Sequence, residues 1–134
     1  MTAIDNTSGH AGYSTYRFLR PFIPARDVKA SRDFYSMLGC SLTSVSGNLT
    51  LVSFGSEATS FFLQDFYKQD LAENLMLQLW VDDLPEWWRK VERLPLAASF
   101  DVPAPRAPTR EPWGADVAYL WDPAGVLWHL TAKP

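Results

Sequence analysis

Apolar residues recur along this chain with two different periods, and the order in which those periods alternate predicts its architecture. Residues 16–23 form an apolar, aromatic-rich run that predicts a strand. Pro21 and Pro24 remove backbone donors there, so one side of that strand is expected to lack a full hydrogen-bond ladder. Asp27 then caps a helix whose stripe, Ser31, Phe34, Tyr35 and Leu38, has helical spacing and stops at Gly39. Residues 42–45, 49–54 and 60–66 predict three short strands, separated by Ser46, Gly47 and Asn48 and then by Gly55 and Ser56 as turn formers. This first unit is one helix packed on a meander.

The same order then begins again. Residues 75–81 are an apolar strand, after which Asp83 and Glu86 form a capping-box pattern. They open a second helix with Leu84, Trp87, Trp88, Val91 and Leu94 as its stripe. A shift of 56 residues, from Asp27 to Asp83, also lays Val28 on Leu84, so strand, capping Asp and helix recur in register. Pro103, Pro105, Pro108 and Pro112 predict an irregular loop over residues 101–112, and residues 115–121 and 126–132 predict a closing hairpin around Asp122, Pro123, Ala124 and Gly125. The expected fold is α+β: two βαβββ modules, about 13–67 and 74–134, forming a cupped mixed sheet in one domain over residues 13–134. Residues 1–12 are polar and without periodicity, and are read as a flexible leader.

Composition narrows the function classes. With 47% hydrophobic and 20% charged residues, the chain of 134 residues is globular and able to bury a core. A net charge of −3 without clustered Lys and Arg argues against a nucleic-acid partner. No apolar run reaches membrane-spanning length and the opening segment lacks a signal peptide's apolar stretch, so no membrane partner and a cytoplasmic location are expected. Cys40 is the single cysteine, which suits a reducing compartment and a small buried hydrophobe better than a nucleophile. Six Trp are unusual for this length; large aromatics pack cores by default, but several together also suit the lining of a ligand pocket.

Three stretches carry a resemblance: residues 23–39 (IPARDVKASRDFYSMLG), 81–88 (VDDLPEWW) and 112–129 (PWGADVAYLWDPAGVLWH). Over residues 16–133 the chain resembles the vicinal-oxygen-chelate superfamily of glyoxalases, ring-cleaving dioxygenases and bleomycin-resistance proteins, and is most similar to the bleomycin-resistance type. The last stretch is the most specific, a Trp-Gly strand start followed by Asp-Pro-x-Gly and an alternating apolar strand. The resemblance implies a cupped sheet, usually completed as a homodimer.

Metal-dependent members of that superfamily place four ligands on strands facing the cup, typically His, Gln or Glu. Carried over residue by residue, those positions fall here on Arg20, Gln64, Met76 and His129. Arg stays protonated and a thioether is a poor donor for hard ions, so no metal and no cofactor are expected. Strand alternation gives these positions another use. Phe62, Gln64 and Phe66 share one face of their strand, Met76, Gln78 and Trp80 share another, and His129 sits opposite the face of Val126, Trp128 and Leu130. The expected ligand contacts are therefore Arg20, Phe22, Phe62, Gln64, Met76, Gln78, Trp113 and His129, an aromatic surface with a few polar anchors and Trp113 at its mouth. Each also has a plainer role: His129 and Gln64 as hydrogen-bonded structural groups, Arg20 as the partner of a carboxylate such as Asp116, Met76 as filler, and the Trp87 and Trp88 pair as packing or dimer contact.

The leading expectation is metal-independent binding or sequestration of a small aromatic or heteroaromatic molecule, with antibiotic resistance of the bleomycin-binding type as one form of it. The alternative is a divergent metal-dependent lyase, isomerase or dioxygenase of glyoxalase type. A third reading makes His129 a general base in a metal-free enzyme.

Overall fold

The computed structural model describes residues 15–134; the expected leader at 1–12 lies outside them. The first module comprises β1 (Phe22–Ala25), α1 (Val28–Met37), β2 (Ser41–Ser46), β3 (Leu49–Ser53) and β4 (Ser60–Asp65). After the single-turn α2 (Gln69–Ala72) come β5 (Met76–Trp80), α3 (Leu84–Val91), α4 (Leu96–Phe100), β6 (Arg106–Arg110), β7 (Asp116–Trp121) and β8 (Leu127–Ala132). Each module folds into its own four-stranded mixed sheet, in the orders β1-β4-β3-β2 and β5-β8-β7-β6. The first strand of each module runs parallel to the last, and the other pairings are antiparallel. The fold is α+β with two βαβββ modules, as expected, each module forming its own hydrogen-bonded sheet.

Local chemistry explains both long helices. The Asp27 side chain accepts from the backbone N–H groups of Lys29 and Ala30, and the Asp83 side chain accepts from that of Glu86, which satisfies donors that a helix start leaves unpaired. Gly39, at φ 100°, ends the first helical segment in a conformation that a side chain would resist. Helix α1 buries Ser31, Phe34 and Tyr35 against the first sheet, and α3 buries Leu84 and Val91. Phe61, Phe54 and Tyr35 also meet Trp128 of the second module, so one core joins the two sheets. Burying each such aromatic contributes about 1.5–3 kcal/mol.

Four local expectations need correction. The first strand starts at Phe22 and not near residue 16, because its pairing is made with β4, where Phe22 stands opposite Phe62. It is an edge strand, which is where Pro24 is tolerated. Residues 106–110 are a strand within the expected loop. Their register against β7 breaks between Arg106 and Thr109, around Pro108, which an edge strand tolerates. The short helices α2 and α4 were not anticipated, since one turn shows no periodicity. Arg20 pairs with Glu57 at 4.0 Å and donates to Ser60 at 2.9 Å, whereas Asp116 takes Arg110 at 2.5 Å.

Candidate functional site

Sheet register sorts the eight expected contact residues onto two surfaces. In β4, Phe61 and Leu63 point to α1 and are buried, which turns Phe62 and Gln64 to the opposite, helix-free face. Phe22 lies beside Phe62 with ring centroids 5.0 Å apart. The guanidinium of Arg20 is 5.6 Å from the Phe62 centroid and 4.0 Å from that of Phe18. Gln64 stands next to Leu49 in the ladder, and Phe62 next to Leu51. Four of the eight, Arg20, Phe22, Phe62 and Gln64, thus share one patch.

The second sheet repeats the arrangement. Leu77, Leu79, Trp128 and Leu130 face the core, so Met76, Gln78, Trp80 and His129 belong to the helix-free face. Gln78 stands opposite His129 in register, and the Trp80 indole N–H donates to Gln78 Oε1 at 2.6 Å. Trp113 leaves the turn before β7 and lies 6.5 Å from Trp80 in an edge arrangement. Met76, Trp80 and Trp113 are 62%, 50% and 56% exposed, and Phe22 on the other sheet is 55% exposed. Large aromatic surface left open on both sheets is unusual for a surface with no binding role.

Three neighbours extend the second patch beyond the expected set. Tyr119 stacks edge-on against His129 with centroids 4.9 Å apart, and its hydroxyl donates to Glu111 at 3.0 Å. Burial raises the Tyr119 pKa, with the Glu111 hydrogen bond adding to it. His129 Nε2 is buried without a hydrogen-bond partner, and desolvation lowers the His129 pKa against an opposing pull from Glu111. At neutral pH the imidazole is therefore uncharged. Trp80 was visible in the alternation of β5 and Tyr119 in that of β7; Glu111 was hidden in a stretch that reads as loop.

A cleft of about 550 Å³ opens elsewhere, between Met37, Leu38, Phe54, Trp87, Lys90 and Leu94 on the helical side. It includes none of the eight residues. Trp87 packs there against Phe54 at 6.2 Å, a contact across the module junction.

No family model matches the chain. A bleomycin resistance protein of Klebsiella pneumoniae is 29% identical over 111 residues, spanning 82% of this chain and 87% of that protein. A bleomycin-binding protein solved in complex with bleomycin superposes with a TM-score of 0.72 at 27% identity, covering 89% of this chain and 100% of the other. In both sequence and fold the chain is similar to bleomycin-resistance and bleomycin-binding proteins, in keeping with its resemblance to the vicinal-oxygen-chelate superfamily. Another similar structure, the bleomycin-binding protein of Streptomyces verticillus in complex with copper(II)-bleomycin, superposes at a TM-score of 0.70 and 25% identity, over 90% of this chain and 99% of that one.

The residues at the ligand positions of metal-dependent vicinal-oxygen-chelate proteins make a poor donor set here. Gln64 and His129 stand on separate sheets. The Arg20 guanidinium is already tied to Ser60 and Glu57, and Met76 offers only a thioether. Among the described residues no three His, Cys, Asp or Glu side chains converge. This donor set does not fit a hard divalent ion, and no chemical step is drawn through one.

Proposed function

We propose that the chain binds and sequesters a small aromatic or heteroaromatic molecule, an antibiotic of the bleomycin type, without covalent chemistry. The observation that carries this reading is the pair of helix-free sheet faces, each bearing open aromatic surface beside a polar anchor: exposed Phe22 on half-buried Phe62 with Gln64, and exposed Trp80 and Trp113 with Gln78 and His129. Stacking on such rings supplies affinity, while few fixed polar groups supply orientation. Similarity to bleomycin-binding proteins in both sequence and structure supports the same conclusion.

The protein is a homodimer, because a second copy laid over these open faces removes apolar surface from water and turns them into enclosed sites. It works in the cytoplasm, where its lone buried Cys40 stays reduced. Among the described residues no helix is long and apolar enough to cross a membrane.

Calorimetric titration with bleomycin, metal-free and copper-loaded, tests the binding reading, with mass spectrometry of the recovered compound. Stoichiometric binding and unaltered bleomycin are expected. Chemical conversion, or no binding of bleomycin or of other planar aromatic antibiotics, overturns it. Sedimentation tests the assembly separately, and a strict monomer at micromolar concentration removes the homodimer.

A further inference from the structure

Glu111 follows β6 and brings its carboxylate to the open face of the second sheet. Its Oε2 accepts hydrogen bonds from Thr109 Oγ1 at 3.1 Å and from Tyr119 Oη at 3.0 Å. Both donors are neutral, so they fix the carboxylate without cancelling its charge. No Lys or Arg lies within salt-bridge distance of it among the described residues. The neighbouring cations are engaged elsewhere: Arg110 pairs with Asp116, and the Arg106 guanidinium lies 5.3 Å from the Trp121 ring. His129, edge-on to Tyr119, is neutral because burial lowers its pKa.

Glu111 is thus a half-buried carboxylate held in one orientation by partners that carry no charge. Its surroundings show what could supply the opposite charge. Glu111 and Trp113 belong to one turn, closed by the Gly114 N–H donating to the Glu111 carbonyl at 2.9 Å, and Trp113 faces Trp80. Aromatic faces attract cations, and beside an unpaired carboxylate the two effects act in the same direction.

We propose that Glu111 is the specificity-determining residue of this face, selecting ligands in which a cationic nitrogen is part of, or attached to, an aromatic ring. The proposal rests on the aromatic-binding reading above and adds the charge of the ligand to it. His129 makes the selection proton-sensitive: once protonated it supplies the missing counter-charge, with Glu111, Tyr119 and Arg106 as the ionisable groups around it.

The test uses two compounds with one ring system, N-methylphenanthridinium, which is permanently cationic, and phenanthridine, which is neutral near pH 8. Binding is read by tryptophan fluorescence with wild type and Glu111→Gln, a variant that keeps the shape and the acceptor of both hydrogen bonds. Wild type is expected to prefer the cation by about tenfold, the scale of one partly screened charge pair, and Glu111→Gln to lose that preference while binding the neutral compound within about twofold of wild type. Acidification from about pH 8 to about pH 5.5 should weaken the cation's binding to wild type, and less so in Glu111→Gln, where the pull that raises the His129 pKa is gone. A preference that survives in Glu111→Gln overturns the proposal, as does equal weakening of both compounds, which would make Glu111 a packing residue. Binding of both compounds by wild type without preference overturns this proposal alone. Failure of wild type to bind either compound overturns the aromatic reading beneath it as well.

Discussion

Tyr35, in the helix of the first module, donates its hydroxyl to Asp122 Oδ2 in the closing hairpin of the second at 2.6 Å. Asp122 Oδ1 accepts from the backbone N–H groups of Ala124 and Val126, and Tyr35 Oη itself accepts from the Trp128 indole at 2.9 Å. The chain of donors is buried and fully paired, and both Tyr35 and Asp122 are essentially removed from solvent. Burial, with the Asp122 charge beside it, pushes the Tyr35 phenol well above its usual range, so it remains a donor. Arg26 adds a second tie to the same hairpin through the Pro123 carbonyl at 3.2 Å. Two modules that resemble each other are thus locked by contacts that neither could make alone.

Tyr35→Phe tests this lock. The substitution keeps the ring but leaves a buried carboxylate oxygen and an indole N–H without partners, a cost of about 2–4 kcal/mol in urea unfolding. Carboxyl NMR gives an independent reading. Burial raises the Asp122 pKa above the usual 3.8 while the Tyr35 hydrogen bond pulls it down, so Tyr35→Phe should raise the midpoint further. An unchanged midpoint would remove Tyr35 from the account of Asp122.

Gly125 closes the turn that presents this carboxylate. It holds φ at 97°, and an added Cβ would meet Glu73 Cγ at 3.1 Å. Gly125→Ala should therefore destabilise the fold by about 1–3 kcal/mol, mostly through backbone strain. Pairing it with Glu73→Ala relieves the contact but not the strain. A double variant restored to wild-type stability would show that crowding, and not φ, sets the cost.

What was legible in the sequence was local. Asp27 and Asp83 announce their helices because a cap acts within three residues, and alternation sets the facing of Phe62, Gln64 and Gln78 because a strand's period is two. The strand at Arg106–Arg110 was not legible, since its prolines suppress local strand propensity and β7 supplies the pairing from outside the segment. Glu111 was missed for the same reason. Tyr35 and Asp122 are 87 residues apart, and nothing in either segment names the other. The eight expected contact residues could be placed on faces from their strands, but not on separate sheets, because that division is made by tertiary packing.

Trp113 stands in the open and contributes little to the core. Trp113→Ala should leave the melting temperature close to that of wild type and weaken bleomycin binding by about 1–3 kcal/mol, the scale of one lost stacking contact. Unchanged affinity in the folded variant would assign this ring to the contact with Trp80 alone.

Titration with zinc, manganese, nickel and iron(II) should show only weak, unselective binding. Arg20 is a fixed cation tied to Ser60, and Met76 offers only a thioether. Submicromolar, stoichiometric binding lost in His129→Ala would contradict this and revive a metal-dependent activity.

His129 should make stability depend on pH in a definite direction. Desolvation lowers its folded pKa below the usual 6.5, more than Glu111 raises it. The unfolded chain therefore takes up a proton on this imidazole at a higher pH than the folded chain does. In the window below about pH 6.5 the unfolded state binds more protons, so stability rises with pH there and is lost on acidification. The contribution of neutral His129 is complete above the unfolded value and is lost as pH falls through the folded one. His129→Gln cannot take up that proton, so its urea midpoint should fall less between about pH 7 and about pH 5 than that of wild type. Imidazole NMR on the folded protein should show a midpoint below 6.5. Parallel stability curves for wild type and His129→Gln, or an imidazole midpoint above 6.5, would mean that Glu111 outweighs burial at this site and that His129 is already its counter-ion.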